Sequence, residues 1–230
     1  KGEHVALIEK SDRMYGGTCI NVGCIPSKSL VRSAAVSAAH PWEPFEKKAR
    51  RYEQAIAEKR RVTMLLRGKN FDKLNGNPNV TVIHATARFA GPKAVEAVTA
   101  DGVLALSSDK IFINTGAVPV VPLIDGIADN PRVYYSETLM DLDMLPRRLT
   151  IIGGGYIGLE FASMYAAFGS KVMVLQDGEA FIPREDADVA AAIRELLESQ
   201  GVAFRLGADV REIGRDGTVR YLWHGTAYAD

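Results

Sequence analysis

The strongest constraint on this chain is a glycine-rich turn set between a strand and a helix. Residues 149–152, Leu-Thr-Ile-Ile, are the short apolar run that a buried parallel strand needs, and Gly153-Gly154-Gly155-Tyr156-Ile157-Gly158 follows at once. Residues 159–168 then have a helical pattern, and a second apolar run, 171–176, ends on Gln176. A G-x-G-x-x-G alone is weak evidence, because simple loop geometry also produces it. With a strand before it, a helix after it and a second strand at the right distance, it reads as a dinucleotide turn. The glycines allow a tight bend and close backbone approach, while the amides and dipole at the helix start receive a pyrophosphate. Candidate contacts are Gly153, Gly155, Tyr156, Ile157 and Gly158, with Gln176 at the ribose position. Gln176 is neither the carboxylate that accepts ribose hydroxyls nor the arginine that meets a 2′-phosphate, and the neighbouring Asp177 leans toward NADH.

The same shape occurs near the start. Residues 169–176 align without a gap on residues 2–9, Gly-Glu-His-Val-Ala-Leu-Ile-Glu, which end on Glu9. Two Rossmann-like, three-layer ββα nucleotide-binding domains of the α/β class are therefore expected. Carrying the offset back from Gly153 lands before residue 1, so the first copy is expected to lack its opening strand, glycine turn and most of its helix. Helices are expected over 26–39 and 45–70, the first ended by Pro41 and Pro44. Short β-type runs follow at 80–83, 94–98, 103–106 and 111–113, the last leading into Asn114-Thr115-Gly116. A proline-spaced connector, 119–131, and the segment 136–145 lead to Pro146. The expected domains are thus 1–145 and 146–230, the second with a helix over 186–199 and a strand over 202–206, and incomplete at its C-terminal end.

With 47% apolar and 24% charged residues the composition is that of a soluble globular protein, and 28 basic residues balance 28 acidic ones. That balance argues against nucleic acid or an anionic membrane as partner. Residues 46–69 hold nine Lys/Arg against three Glu, yet the interspersed acids make a solvated helix face the better reading. No apolar run approaches a membrane span and the first residues lack a signal-peptide pattern, so a cytoplasmic location is the default.

Two cysteines could form a structural bridge, half a metal site or a redox pair, or remain two buried reduced thiols. Cys19 and Cys24 lie in Gly16-Gly17-Thr18-Cys19-Ile20-Asn21-Val22-Gly23-Cys24-Ile25-Pro26-Ser27-Lys28. A bridge there closes a very small loop and removes little unfolded-chain entropy, which disfavours a purely stabilising role. The four histidines, His4, His40, His84 and His224, are scattered, so no metal site is expected. Helix-start amides and the Lys28 cation would favour a thiolate at Cys24, leaving Cys19, placed on the preceding loop, to exchange with a substrate disulfide.

At these residues the chain resembles the pyridine nucleotide-disulfide oxidoreductases, the family of lipoamide dehydrogenase, glutathione reductase and mercuric reductase. Residues 16–28 resemble its redox-active disulfide motif and residues 153–160 its nicotinamide fingerprint. Met14-Tyr15, residues 111–117 and residues 161–164 resemble most a bacterial branch linked to reactive-chlorine resistance and copper(II) reduction. The resemblance implies FAD and NAD(P)H as cofactors, with residues 1–145 binding FAD and 146–230 binding NAD(P). It makes Cys24 the flavin-facing sulfur and Cys19 the interchange thiol. It puts Lys28 beside the flavin and paired with Glu160, Glu9 on the FAD ribose, Gly17 and Thr18 at the diphosphate, Ala87 at the adenosine through its backbone, and Thr115 and Gly116 in the flavin-domain turn. Tyr156 becomes a lid that moves when nicotinamide stacks.

Departures accompany the likeness. Asn114 replaces an alanine common in the family, and Gln176 replaces the acidic or basic discriminator. The family's first FAD glycine motif, a later flavin-contacting aspartate and the C-terminal dimerisation domain with its His-Glu pair have no counterpart here, so no general acid is assigned. The resemblance implies a homodimer formed through that absent domain, and a fragment inactive alone. The expected activity is electron transfer from NAD(P)H through FAD to a Cys19–Cys24 disulfide and on to a small-molecule or metal-ion acceptor in oxidant or metal defence. The alternatives are a dihydrolipoyl dehydrogenase, a mercuric reductase, or a redox-sensing nucleotide-binding module without turnover.

Overall fold

A computed structural model describes residues 2–230. They gather into two compact units, one built from the residues up to Ser27 with Lys59–Val118, the other from Lys28–Glu58 with Pro119–Asp230. Lys28–Glu58 thus groups with the residues from Pro119 onward. The reason is burial: Leu30, Ala34, Tyr52 and Ile56 share one apolar cluster with Leu159, Phe161, Tyr165 and Phe168.

In the first unit β1 (Val5–Glu9) runs parallel to β2 (Val80–His84), with Val5 opposite Val80 and Glu9 opposite His84. An antiparallel meander follows, β3 (Thr86–Gly91), β4 (Ala94–Thr99) and β5 (Gly102–Ser107), with β3 at one edge. Thr99 Oγ1 donates to the Gly102 carbonyl at 2.9 Å and ties the second hairpin turn. The unit also contains α1 (Gly17–Asn21), the opening of α2 (Cys24–Ala38) and the later part of α3 (Phe45–Asn75). Pro26 sits in the first turn of α2, where its missing N–H costs no helical bond. α3 continues past its expected end at 70 because Phe71 finds a partner, the buried Tyr15 ring, at 4.9 Å edge to face.

The strand expected over 111–113 does not form. Residues 111–120 have no regular structure, and Phe112 and Ile113 are 87% and 71% exposed. A strand must satisfy its backbone groups on a neighbour, and among the described residues none runs beside this segment. β3 was not anticipated as a strand of its own.

In the second unit a short α4 (Ser136–Leu139) precedes a parallel sheet of β6 (Arg148–Ile152), β7 (Lys171–Gln176) and β8 (Ala203–Leu206). α5 (Tyr156–Phe168) connects β6 to β7 and α6 (Ala187–Ser199) connects β7 to β8. β7 lies in the middle, as in the first half of a doubly wound nucleotide-binding sheet. α5 ends on Gly169, whose φ of +105° lets its N–H return to the Tyr165 and Ala166 carbonyls. Tyr165, Phe168, Val174 and Ile56 are almost wholly buried, each side chain contributing about 1.5–3 kcal/mol of transfer free energy. A second meander, β9 (Asp209–Ile213), β10 (Val219–Trp223) and β11 (Thr226–Ala229), was not anticipated. Its alternation buries Val219 and Tyr221 against Leu175 and Ala208, and the Arg205 guanidinium lies 4.4 Å above the Trp223 ring. The α/β class expected from the sequence is the one observed. Among the described residues no helix is long and apolar enough to cross a membrane.

Candidate functional site

The glycine turn is built by β6 and the start of α5. Gly153 has φ +106° and donates its N–H to the Leu175 carbonyl at 2.8 Å, which fixes the bend at the end of the sheet. A Cβ on Gly158 would run into the Gly153 carbonyl oxygen and meet the Ile151 side chain at 3.3 Å, so the first turn of α5 can lie against the strand only with glycine there. At Gly155 a Cβ would meet nothing within 4 Å, and this N-cap residue has no side-chain cap. The amides at the start of α5 therefore face open space, the arrangement an anionic group can enter. Tyr156 and Ile157, the first helical residues, are 58% and 63% exposed.

Gln176 is engaged within the turn. Its side-chain Oε1 accepts the Gly154 N–H at 2.6 Å, and its Nε2 donates to Asp177 Oδ1 at 2.6 Å. Asp177 Oδ1 also takes the Gly178 N–H at 2.8 Å. That oxygen accepts both of these bonds, and Oδ2 accepts neither of them. The Tyr156 hydroxyl donates to Glu185 Oε1 at 2.6 Å, and this bond is the main reason its phenol is pushed above the usual tyrosine range. The sequence did not single out Glu185, which is recognisable only once the 178–186 segment folds back toward α5.

In the cysteine segment Cys19 lies within α1, not on a loop, and Cys24 opens α2; both are exposed free thiols. The Cys19 thiol is raised, first by its hydrogen bond to the Cys24 sulfur, then by desolvation and by the charge of that sulfur. The backbone amides of Cys24 and Ile25 act the other way and lower it. Lys28, one turn along α2, is ion-paired with Glu160 of α5, with side chains 66% and 32% exposed. A pair so open to solvent contributes at most about 1 kcal/mol.

The remaining candidates are placed as follows. Glu9 ends β1, half-buried, and its Oε1 accepts the Ser11 N–H at 2.9 Å. Gly17 and Thr18 open α1, exposed. Ala87 lies on the edge strand β3, opposite Ala97. Thr115 and Gly116 lie in the irregular segment, Gly116 with φ +75°. A surface hollow of about 570 Å³, lined by Val121, Ile127, Asn130 and Tyr134 among others, contains none of these residues. Among the described residues no group of three or more His, Cys, Asp or Glu is placed to hold a metal ion.

Two further side chains complete the cysteine segment. Asn21, the last residue of α1, donates to the Gly17 and Tyr15 carbonyls at 2.8 and 3.0 Å, and its Oδ1 accepts Arg67 Nε–H at 2.7 Å. Neither was a candidate, because their meeting joins α1 to a distant turn of α3.

Comparison with known proteins gives a consistent picture. The pattern of the pyridine nucleotide-disulphide oxidoreductase family matches residues 1–227. The probable pyridine nucleotide-disulfide oxidoreductase RclA of Escherichia coli is 47% identical over 212 residues, covering 92% of this chain and 45% of that protein. A mercuric reductase of Streptomyces lividans is 33% identical, covering 94% of this chain and 46% of the relative. The structure of the Cu(II) complex of the HOCl-induced flavoprotein disulfide reductase RclA superimposes with a TM-score of 0.87 at 44% identity, covering 98% of this chain and 49% of that one. Mycobacterium tuberculosis LpdA, at 24% identity and a TM-score of 0.81, shares the fold. The chain spans about half the length of the relatives it matches.

Proposed function

This chain belongs to the pyridine nucleotide-disulphide oxidoreductase family, and from that premise we propose that it is part of an FAD-dependent NAD(P)H oxidoreductase working through a Cys19–Cys24 disulfide. The observation that carries the proposal is the cysteine pair itself, two exposed free thiols five positions apart, one within α1 and the other opening α2. Such a pair closes no loop large enough to stabilise a fold, and its accessibility suits exchange chemistry.

The residues fit the groups the family uses. Open space at Gly155 and the uncapped amides of α5 suit a pyrophosphate, and the free oxygen of Asp177 suits ribose hydroxyls, which favours NADH. Glu9, Gly17, Thr18, Ala87, Thr115 and Gly116 would hold FAD, residues 1–145 forming its domain and 146–230 that of NAD(P). Bound FAD would supply the two-electron relay between NAD(P)H and the disulfide. The chain's own residues do the rest. Cys24 would face the bound flavin, Cys19 would exchange with the acceptor, and the Lys28–Glu160 pair keeps a cation one turn beyond Cys24. Tyr156, exposed at the head of α5, covers the nicotinamide site.

The acceptor is a disulfide or a metal ion, and copper(II) is favoured by the likeness to RclA, whose solved structure is a Cu(II) complex. The complete protein is a cytoplasmic homodimer that acts in oxidant or metal defence. Steady-state NADH and NADPH oxidation by the complete protein, with Cu(II), Hg(II) and small disulfides offered as acceptors, tests this. Many turnovers, lost in both Cys19→Ser and Cys24→Ser, are expected. A single cycle that then stops would contradict turnover and leave a redox sensor.

A further inference from the structure

α1 is too short to stand by itself. Five residues make barely more than one turn, and isolated helices below about a dozen residues are marginal in water. Its N-cap, Gly16, has φ +92° and supplies no side-chain cap. What closes the element is Asn21, whose amide group binds the Gly17 carbonyl at the start of α1 and the Tyr15 carbonyl just before it. Only the NH₂ end of an amide can make those two bonds, and only the oxygen end can accept from arginine. Arg67, half-buried on α3, therefore fixes which way the Asn21 amide points.

Arg67 acts with its neighbours. Residues 67, 70 and 71 share one face of α3 at helical spacing. Phe71 packs on Tyr15, and Asn70, held by its own bond to the Leu66 carbonyl at 2.8 Å, lies so close to Gly16 that a Cβ there would stand 3.3 Å from it. This face of α3 grips the segment on both sides of Cys19.

We propose that Arg67 is a positioning residue for the redox pair: by bonding Asn21 it keeps the short helix that carries Cys19 where its sulfur can form and re-form the bond to Cys24. The inference rests on the reading of Cys19 and Cys24 as a redox pair. Fixing α1 raises the effective concentration of one thiol at the other, which sets how readily the disulfide closes.

The test is an equilibrium between the complete protein and glutathione. The two cysteine thiols give two electrons and two protons to glutathione disulfide, which leaves as two glutathione thiols, and the S–S bond forms between Cys19 and Cys24. The position of equilibrium is read by alkylation and mass analysis. Arg67→Ala is expected to shift it about tenfold toward the dithiol, the order of a lost charged hydrogen bond, and to raise the rate of Cys19 alkylation. Asn21→Ala, which also loses the bonds to the Tyr15 and Gly17 carbonyls, should shift it at least as far, and adding Arg67→Ala to it should do little more, because the Arg67–Asn21 bond is already gone. Arg67→Lys should restore part of the shift. If Arg67→Ala does not fold, Arg67→Lys is read instead against the wild type, and an intermediate shift is expected. A lowered melting temperature with an unchanged equilibrium would overturn the proposal, since Arg67 would then be structural only. A wild-type protein that never oxidises across the series would remove the redox-pair reading and this inference with it. A wild type that titrates normally beside indistinguishable Arg67 variants would remove this inference alone.

Discussion

Gly155 and Gly158 lie three residues apart in one motif, yet alanine at each should fail in different ways. At Gly158 the added Cβ meets backbone, the Gly153 carbonyl, with Gly153 C at 3.4 Å and Ile151 Cγ2 at 3.3 Å as further neighbours. Backbone cannot rotate away as a side chain can, so β6 and α5 must separate. Overpacking costs about 1–3 kcal/mol, and a clash with backbone belongs in the upper part of that range, about 2–3 kcal/mol, more than the roughly 1 kcal/mol that alanine gains over glycine inside a helix. For a chain of this size a net loss of about 1–2 kcal/mol lowers the melting temperature by roughly 2–8 °C. At Gly155 the Cβ meets nothing and φ is −77°, an ordinary value for alanine. Its poorer N-capping, about 0.5 kcal/mol, is offset by the similar entropic gain of removing a glycine. The fold should be indifferent, but the methyl stands where a pyrophosphate approaches the α5 amides. Losing one charge-assisted bond there weakens binding about ten- to a hundredfold. Thermal unfolding and NADH titration calorimetry on the complete protein read the two effects separately. Wild-type NADH affinity in Gly155→Ala, or a wild-type melting temperature in Gly158→Ala, would refute the assignment of these positions.

Other predictions concern single groups. Tyr165 donates to the Leu139 carbonyl at 2.9 Å and meets the Tyr52 hydroxyl at 2.9 Å in the core, so Tyr165→Phe should destabilise by about 1–3 kcal/mol in denaturant unfolding. Burial, then the Tyr52 hydroxyl, raises the Tyr165 phenol; a raised folded-state value stabilises below the unfolded value and is lost above it, so stability should decline once pH passes about 10. The pH dependence of Cys19 alkylation should have its midpoint above that of an ordinary thiol, and Cys24→Ala should lower it by removing the first cause of the shift. Glu185→Gln should return the Tyr156 phenol toward its usual range in an ultraviolet titration, and an unchanged midpoint would refute the role given to that hydrogen bond.

What the sequence made legible was what local geometry dictates. Gly153 needs a positive φ and Gly158 needs to have no Cβ, so the turn was readable from its spacing, and β6, α5 and β7 around it were readable from their apolar runs. The helix of Cys24 was visible because proline suits a first turn. The errors arose where stability depends on a distant partner. Residues 111–113 are as apolar as a strand, but periodicity says nothing about whether a neighbouring strand lies beside them. The β9–β11 meander consists of short strands whose polar outer faces mask their alternation. The grouping of Tyr52 with Tyr165, and of Asn21 with Arg67, follows from tertiary packing alone. At the candidate site the motifs named candidate residues, whereas the placement of Cys19 within α1 and the tie between Gln176 and Gly154 required coordinates.

The central claim is that the Cys19–Cys24 pair takes electrons from NAD(P)H by way of bound FAD. An anaerobic NADH titration of the complete protein, followed by absorbance from the flavin band to long wavelength, tests it most directly. The account predicts a two-electron reduced form with long-wavelength charge-transfer absorbance that disappears in Cys24→Ser. A protein that carries no flavin, or one whose flavin bleaches directly with no such band, would contradict it.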